Sequence, residues 1–481
     1  MDPRVLTHYR HIVELEVLMA TSFDAIVIGT GQAGPALTAR LAKAGMKVAV
    51  VERGRFGGSC VNTGCTPTKT LVASAYAAQL ARRAGEYGVE LGAGADQVSV
   101  DMKRVKARKD AIVEDFTKGV EKGLRSLPHC TVFQGHARFT SPHEVSVGDA
   151  RLTAERIFID VGARPAVPDM PGLGEVDYLT SSSMMELDVL PRRLVIVGGG
   201  YVGLEFAQMY RRFGSDVTVV EMAPRLLAHE DDDVSAAVAD ILEREGVRLR
   251  LSSRCIGVAA RGEEIGVSVD CAADAPEVRG SHLLLAVGRQ PNTDDLGLRE
   301  AGVAQDERGF IVVDDQLRTS VPGIWALGEC NGRGAFTHTA YNDFEIVAAN
   351  LLDGEARRVS DRIPAYAVFV DPPLGRVGMT AAEVRRSGRR ALVGKRPMTK
   401  VSRAIEKGET LGFMKVLVDA DSRQILGAAI LGTGGDEAIH CVLDVMAAKV
   451  PYTVLQRTMH IHPTVAELIP TVLGQLEPLG E

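Results

Sequence analysis

The sequence predicts an α/β fold that contains one kind of nucleotide-binding unit twice, followed by an α+β domain. Two stretches, near residues 23–52 and 193–221, each read as apolar strand, G-x-G-x-x-G turn, helix and second strand ending in Glu. This order is typical of a dinucleotide-binding βαβ unit, so its repetition indicates two Rossmann-like domains. After residue 361, short strand-like segments alternate and precede two helical segments, 436–448 and 452–459.

In the first unit, Gly29, Gly31 and Gly34 follow the strand 23–28, and Glu52 ends the strand that begins at Lys47. The first glycine permits the tight turn, the second lets the backbone approach a pyrophosphate, and the third allows close helix–strand packing. The carboxylate can accept a hydrogen bond from a ribose hydroxyl. A glycine-rich turn without a ligand is the alternative for an isolated motif, but here all four parts occur in order.

The second unit repeats this arrangement with Gly198, Gly200 and Gly203 in the turn and Glu221 after the second strand. A carboxylate at that position accepts from a 2′-hydroxyl and repels a 2′-phosphate, which favours NAD(H). The nearby Arg225 keeps NADP(H) as the alternative.

Cys60 and Cys65 stand between the two units, directly before a helix predicted over residues 68–80, with Pro67 in its first turn. The free N–H groups of a helix N-terminus stabilise a thiolate, so the local chemistry favours a reactive pair. Two structural cysteines or half of a zinc site are the alternatives. A zinc site needs four ligands, whereas the other cysteines are scattered, namely Cys130, Cys255, Cys271, Cys330 and Cys441. The spacing alone therefore leaves both a reactive pair and a structural pair open.

The segment Gly57-Gly-Ser-Cys-Val-Asn-Thr-Gly-Cys-Thr-Pro-Thr-Lys69 resembles the redox-active disulfide motif of class I pyridine nucleotide-disulfide oxidoreductases. This family includes dihydrolipoyl dehydrogenase, glutathione reductase and mercuric reductase. The resemblance extends over about residues 23–476, with the family's landmarks in order. It implies FAD in the first unit, a nicotinamide in the second, and a dimerisation domain at the C-terminus. It also implies a homodimer whose active site is shared between subunits.

The resemblance implies further cofactor contacts, at Gly58, Lys69, Gly162, Gly288, Glu329 and Phe336. Two of these positions depart from the family's pattern. Val161 precedes Gly162 where the family has Thr or Ser, and Glu329 replaces the Asp that contacts the ribityl chain, which puts that contact in doubt.

The same resemblance assigns catalytic roles. Cys65 would be the flavin-proximal, charge-transfer thiolate and Cys60 the interchange thiol. Lys69 would pair with Glu205 beside the flavin, for which a surface glutamate is the alternative. His462, oriented by Glu467, would exchange protons with the dithiol of the other subunit. His460, near His462, is interpreted as a spectator. His338 is interpreted as a structural histidine, and Cys330, next to Glu329, as a small buried side chain.

Composition excludes several classes of function. A net charge of −7 argues against a nucleic-acid or anionic-membrane partner. No apolar run approaches the ~20 residues of a membrane span, and the cysteine pattern is not a secreted disulfide framework. We expect a cytoplasmic protein. The expected domains are a disordered extension over 1–22 with a natural start at Met19, FAD-binding parts over 23–162 and 291–360, an NAD(P)-binding domain over 163–290, and a dimerisation domain over 361–481.

The resemblance implies that electrons pass from NADH through FAD and the cysteine pair to a disulfide or soft metal ion. The segment 371–380 favours the mercuric reductase-like group, although the C-terminal vicinal cysteine pair and the heavy-metal-binding N-terminal domain are absent from this sequence. The His462–Glu467 pair favours the alternative, a dihydrolipoyl dehydrogenase. A flavin-binding sensor without turnover is a further alternative, against which the complete set of redox residues argues.

Overall fold

The structure is a computed structural model that describes residues 20–92, 98–271 and 277–480. The predicted N-terminal extension, with its expected start at Met19, therefore lies outside the described residues up to residue 19. Its last two residues form a strand, Thr21–Ser22, which pairs with Leu152–Thr153. The prediction that disorder extends to residue 22 is wrong, because this pairing fixes the chain just before Phe23.

The α-helices of the described residues are, in chain order, α1 (Gly34–Lys43), α2 (Gly58–Asn62), α3 (Cys65–Arg82), α4 (Met102–Ser126), α5 (Ser181–Met184), α6 (Tyr201–Phe213), α7 (Asp232–Arg244), α8 (Leu298–Ala301), α9 (Thr337–Leu352), α10 (Ala381–Arg386), α11 (Ser402–Glu406), α12 (Gly435–Ala438), α13 (His440–Ala447), α14 (Thr453–Arg457) and α15 (Ile469–Leu473).

The strands are, in the same order, β1 (Thr21–Ser22), β2 (Ala25–Ile28), β3 (Val48–Glu52), β4 (Cys130–Gln134), β5 (Ala137–Ser141), β6 (Glu144–Val147), β7 (Ala150–Thr153), β8 (Arg156–Ile159), β9 (Ala163–Pro165), β10 (Leu179–Thr180), β11 (Arg193–Val197), β12 (Asp216–Val220), β13 (Arg248–Arg250), β14 (Gly257–Arg261), β15 (Glu264–Ser268), β16 (Val278–Gly280), β17 (His282–Leu285), β18 (Arg289–Pro291), β19 (Ile324–Ala326), β20 (Ala365–Val368), β21 (Leu374–Gly378), β22 (Ala391–Pro397), β23 (Phe413–Asp419), β24 (Ile425–Leu431) and β25 (Glu477–Pro478).

The chain divides into two compact units, each made of three segments. The first unit comprises residues up to Thr68, Arg108–Pro165 and Gly288–Arg362. The second comprises Lys69–Ala107, Ala166–Val287 and the residues from Ile363 onward. The domain boundaries expected from the sequence stay a prediction.

The first unit is built on a parallel sheet with the strand order β19-β8-β2-β3-β4. Every residue of β2 and β3 is buried, as expected for parallel strands covered on both faces. Helix α1 packs on β2, β3 and α9. The turn between β2 and α1 needs glycine, because a Cβ atom on Gly29, whose φ is +102°, would lie 2.2 Å from the carbonyl oxygen of Asp160.

The second unit contains a parallel sheet ordered β10-β17-β11-β12-β13 and an antiparallel sheet ordered β20-β21-β24-β23-β22-β25. Helix α6 packs on β11 and β12. Helices α13 and α15 cover one face of the antiparallel sheet, which confirms the α+β character predicted after residue 361. Together, the two parallel sheets and this domain confirm the predicted fold class.

A buried charge cluster joins α7 to the antiparallel sheet within the second unit. Arg376 is 1% exposed, and its Nη2 atom bonds Glu230 and lies 3.2 Å from Oδ2 of Asp231. Lys415 Nζ lies 2.7 Å from the same carboxylate oxygen. Burial alone would raise the pKa of Asp231, but its hydrogen bond with Lys415 and the charges of Lys415 and Arg376 hold this pKa below its usual value.

Three sequence-based expectations need correction. The helix predicted from residue 68 begins at Cys65, and the segment 436–448 forms two helices, α12 and α13. Cys255 and Cys271, which were interpreted as scattered cysteines, are joined in a disulfide that the sequence did not indicate. None of the helices in the described ranges is long and apolar enough to cross a membrane.

Candidate functional site

The first glycine-rich turn holds its acidic residue by hydrogen bonds. Glu52 Oε2 accepts from the backbone N of Thr30 at 3.0 Å and from its hydroxyl at 2.5 Å, and Oε1 accepts from the N–H of Gly54 at 2.8 Å. The structure therefore brings Glu52 to the same turn as Gly29, Gly31 and Gly34, at the carboxyl end of β2.

The second glycine-rich turn has the same geometry. Glu221 Oε2 accepts from the N–H of Gly199 at 2.5 Å, and Oε1 accepts from the N–H of Ala223 at 2.7 Å. A Cβ atom on Gly203 would lie 2.1 Å from the carbonyl oxygen of Gly198, so the turn and α6 can approach this closely only with glycine. Gly198, Gly200, Gly203 and Glu221 thus lie together as predicted.

The other predicted glycines fit two dinucleotides as well. A Cβ atom on Gly162, Gly200 or Gly288 would meet no other atom within 4 Å, so these positions face open space. Gly58 is different, because its Cβ atom would lie 2.8 Å from Cα of Gly31 and would push against the first turn. Open backbone beside the glycine-rich turns is the surface that a pyrophosphate needs.

Cys60 and Cys65 meet at one hydroxyl group. Thr337 Oγ1, in the first turn of α9, donates to the Cys60 sulfur at 3.1 Å and lies 3.2 Å from the Cys65 sulfur. Cys60 is half-buried in α2, and Cys65 is exposed as the first residue of α3. The pKa of the Cys60 thiol is raised by its hydrogen bond with Cys65, by burial and by the charge of the neighbouring thiolate. This arrangement can keep one proton and one thiolate on the pair.

Thr337 was not predicted as a site residue, although its neighbours Phe336 and His338 were both named from the sequence. The rings of Phe336 and His338 stack with centroids 5.4 Å apart. Thr337 belongs to no sequence motif that would mark its hydroxyl as functional. Its position at the start of a helix that follows a glycine-containing loop was the available signal.

Glu329 forms an ion pair with Arg289 within the first unit. Its Oε1 accepts from Arg289 Nε at 2.6 Å, and Arg289 Nη2 donates to the carbonyl oxygen of Ala163 at 2.6 Å. Arg289 in β18 therefore connects Glu329 to the backbone of β9. The neighbouring Cys330 is 0% exposed, which confirms its interpretation as a small buried side chain.

Lys69 and Glu205 form the ion pair that the resemblance implied. Lys69 Nζ lies 2.8 Å from Glu205 Oε2, while Glu205 Oε1 accepts from the backbone N of Phe369 at 2.9 Å. Glu205 is 3% exposed, so the alternative of a surface glutamate is wrong. Lys69 Nζ also lies 4.5 Å from the centroid of the Phe369 ring, a contact that the sequence did not indicate.

His462 and Glu467 form a pair near the C-terminus. His462 Nδ1 lies 2.9 Å from Glu467 Oε2 and 3.1 Å from Oε1. The imidazole is 73% exposed and the carboxylate only 15%, so Glu467 orients a ring whose Nε2 atom faces outward. His460 Nδ1 instead contacts the carbonyl oxygen of Thr458 at 2.9 Å and takes no part in the pair.

The fold and these residues define an oxidoreductase with two dinucleotide-binding turns and a pair of redox cysteines. Residues 23–343 match the family "Pyridine nucleotide-disulphide oxidoreductase", and residues 364–473 match its dimerisation domain. The chain belongs to this family. It is an FAD-dependent flavoprotein that uses NAD(P)H, and the dimerisation domain supports a homodimer.

Curated relatives of several activities cover nearly the whole chain. The probable pyridine nucleotide-disulfide oxidoreductase RclA of Escherichia coli (strain K12) is 36% identical over 92% of this chain and 97% of its own length. A dihydrolipoyl dehydrogenase of Thermus scotoductus and a mercuric reductase of Streptomyces lividans are each 33% identical over 93% of this chain and 95% of their own lengths.

Solved structures agree with the sequence relatives. The Cu(II) complex of the HOCl-induced flavoprotein disulfide reductase RclA from Escherichia coli has a TM-score of 0.85 and 35% identity, and the match covers 94% of this chain and 99% of that one. Relatives named for three different activities therefore share this fold, and the electron acceptor has to be argued from the site.

Proposed function

We propose that this enzyme takes electrons from NADH and delivers them through Cys65 and Cys60 to a disulfide or soft metal-ion substrate. The observation that carries the proposal is the convergence of both sulfurs on the hydroxyl of Thr337, at 3.1 Å and 3.2 Å. The two sulfurs are thus brought to the same hydroxyl group, and interconversion of a dithiol and a disulfide requires such proximity.

The residues described above would hold both dinucleotides. FAD would be bound by the first turn together with Glu52, Gly58, Gly162, Gly288, Glu329 and Phe336. NADH would be bound by the second turn with Glu221. Bound FAD supplies the two-electron chemistry that connects the nicotinamide to the cysteine pair. The Lys69–Glu205 pair would place a positive charge at a fixed position beside the flavin, since its partner carboxylate is 3% exposed.

The cysteine pair would then act by thiol–disulfide exchange. His462 of the other subunit takes the proton of the Cys60 thiol, and the resulting thiolate attacks a substrate disulfide, which forms a mixed disulfide and releases one substrate thiolate. The Cys65 thiolate next attacks Cys60, which releases the second substrate thiolate and closes the Cys60–Cys65 disulfide. His462 of the other subunit, held by Glu467, donates the protons that the leaving thiolates need. The substrate gains two electrons and the pair loses two.

A soft metal ion can accept the same electrons. Thiolates favour soft or borderline ions, and oxidation of one dithiol to a disulfide would reduce two Cu(II) ions to Cu(I). The similarity to a reductase solved as a Cu(II) complex supports testing this ion. In the described residues there is no cluster of three or more His, Cys, Asp or Glu side chains suited to a metal, so the ion would meet the cysteine pair as a substrate.

The second candidate function is that of a dihydrolipoyl dehydrogenase, and the His462–Glu467 contact at 2.9 Å favours it. An oriented imidazole serves the proton transfers of dithiol oxidation, whereas reduction of a metal ion does not require it. A cytoplasmic location is part of the proposal, because Cys130, Cys330 and Cys441 form no disulfide, although Cys255 and Cys271 do.

Initial rates of the FAD-loaded homodimer separate these functions. We would measure NAD⁺ reduction by dihydrolipoamide, and NADH oxidation with Cu(II), Hg(II) or a small disulfide as acceptor. Fast NAD⁺ reduction by dihydrolipoamide would identify the second candidate function.

A Cys60→Ser variant should lose acceptor turnover at least about 100-fold while NADH still reduces its flavin, and Cys441→Ser should match the wild type. Full acceptor turnover in Cys60→Ser would contradict the proposal.

A further inference from the structure

Asp160 is a buried carboxyl group that the mechanism above does not use. It follows β8 directly, is 5% exposed, and its Oδ2 accepts from the backbone N of Gly34 at 2.7 Å. The backbone N of Asp160 donates to the carbonyl oxygen of Ile28 at 2.8 Å. The side chain is therefore fixed between the end of β2 and the first residue of α1.

Three glycines surround this carboxyl group. A Cβ atom on Gly31 would lie 2.9 Å from Asp160 Oδ2, and one on Gly34 would lie 3.0 Å from the same oxygen. A Cβ atom on Gly328 would lie 3.0 Å from Oδ1. Gly31 and Gly34 belong to the first glycine-rich turn, and Gly328 precedes Glu329. One carboxyl group thus lies beside two of the sequence segments that were predicted to bind FAD.

The position of Asp160 matters because of what the first turn binds. In dinucleotide-binding folds the pyrophosphate lies at the N-terminus of the helix after the glycine-rich turn, where free N–H groups face it. Here the N–H of Gly34 is already bonded to Asp160. An ionised carboxylate at this point would add a negative charge next to the binding surface of a dianionic group.

The groups that face Asp160 from the neighbouring elements are mostly acidic. They are Glu52 at the end of β3, Asp343 on α9 and the thiol of Cys330, and Asp343 is itself paired with Arg362. Burial raises the pKa of Asp160 to about 8, the N–H of Gly34 opposes this, and the charges of Asp343 and Glu52 add to it. Burial also raises the pKa of Cys330, so that thiol keeps its proton at neutral pH.

We propose that Asp160 is a positioning residue for FAD, and that it supports tight FAD binding only while its carboxyl group carries a proton. The protonated group accepts from Gly34 and fills the space left by the three glycines without opposing the pyrophosphate charge. The ionised group keeps the same contacts but repels the pyrophosphate. This inference concerns the cofactor alone and does not depend on the electron acceptor.

The test is the pH dependence of FAD affinity, measured by flavin fluorescence on the full-length protein after removal and re-addition of FAD. In the wild type, the Kd should be constant at about pH 6.5–7.5 and should rise above about pH 8, by up to tenfold per pH unit. It rises because the ionised carboxyl group of Asp160 must take up one proton when FAD binds tightly. Asp160→Asn keeps an acceptor for Gly34 without the charge, so its Kd should not change over this range. Asp149→Asn, at the exposed turn between β6 and β7, should behave like the wild type.

Two results would overturn the proposal: a wild-type Kd that does not depend on pH up to about pH 9, or an Asp160→Asn variant with the wild-type pH dependence. Should Asp160→Asn fail to fold, calorimetry of the wild type in buffers of different ionisation enthalpy gives the answer. FAD binding should take up about half a proton per FAD near pH 8 and approach one proton per FAD at higher pH. A purely structural role for Asp160 predicts no proton uptake, and a measured value of zero would refute the inference.

Discussion

Replacement of Glu467 by Gln should slow the transfer of electrons to the substrate without affecting reduction by NADH. The carboxylate contacts His462 Nδ1 at 2.9 Å and 3.1 Å and is largely buried, whereas the imidazole is 73% exposed. A hydrogen bond to a charged group contributes about 1.5–3 kcal/mol and a neutral one about 0.5–1.5 kcal/mol. The Gln variant keeps an acceptor oxygen, so the expected loss is about 1–1.5 kcal/mol, or about 5–12-fold in rate.

Stopped-flow absorbance separates the two half-reactions. Reduction of the wild-type and Glu467→Gln enzymes by NADH should proceed at equal rates, and only reoxidation by a disulfide substrate should slow. His462→Asn should slow reoxidation by about 100-fold or more, because general acid–base catalysis contributes 10²–10⁴-fold. His460→Asn is the matched control, since its ring contacts the carbonyl oxygen of Thr458 and not Glu467. It should stay within about twofold of the wild type.

Two outcomes would refute this reasoning. If Glu467→Gln reoxidises at the wild-type rate while His462→Asn is slow, Glu467 does not orient the imidazole during turnover. If both variants slow reduction by NADH as much as reoxidation, the pair acts on the fold or the flavin and not on the substrate.

Four further predictions follow from the second unit. Arg376→Met should lower the free energy of unfolding in urea by about 3–5 kcal/mol, because it removes the cation that pairs with the buried carboxylate of Glu230; a loss below about 1 kcal/mol would contradict this. Because the pKa of Asp231 is lowered in the folded protein, its ionised carboxylate stabilises the fold above the unfolded pKa of about 3.9, and this stabilisation is lost as the pH falls through the folded pKa. The wild type should therefore lose more stability below about pH 4 than Asp231→Asn. Equal losses would refute this prediction. Cys271→Ser should cost about 3 kcal/mol in thermal or urea unfolding without reductant and nothing with dithiothreitol. Glu221→Ser should raise the NADPH-to-NADH ratio of kcat/KM about tenfold, about 1.4 kcal/mol, in steady-state assays, and an unchanged ratio would contradict the predicted preference.

The parts of the fold that were predictable from sequence depend on local constraints. Both βαβ units were identified because glycine is required within a few residues of each turn, and the buried parallel strands are continuous apolar runs. The start of α3 was placed three residues late because Pro67 was assigned to the first turn. Pro67 occupies the third helical position, where its missing N–H still has no intrahelical acceptor, so it is compatible with a helix that begins at Cys65.

The contacts that could not be predicted join residues far apart in sequence. Asp160 meets Gly34 across 126 positions, and Thr337 meets Cys60 across 277. Neither residue is a rare type, and neither belongs to a motif, so spacing carries no information about them. The disulfide between Cys255 and Cys271 was missed for a related reason, since a separation of 16 residues fits many loops and only the fold of β14 and β15 brings the two together.

The two acidic residues of the dinucleotide units show how a correct motif prediction can still be incomplete. Sequence spacing assigned Glu52 and Glu221 to ribose recognition, but in the structure each carboxylate also accepts two or more hydrogen bonds from its own turn. Substitution of Glu221 therefore removes a support of the turn together with a specificity contact. A variant that loses NADH and NADPH turnover equally would reveal the first role, and one that changes only their ratio would reveal the second. Because the N–H groups of Gly199 and Ala223 would remain in place, we expect an anionic 2′-phosphate to find donors there once the carboxylate is gone.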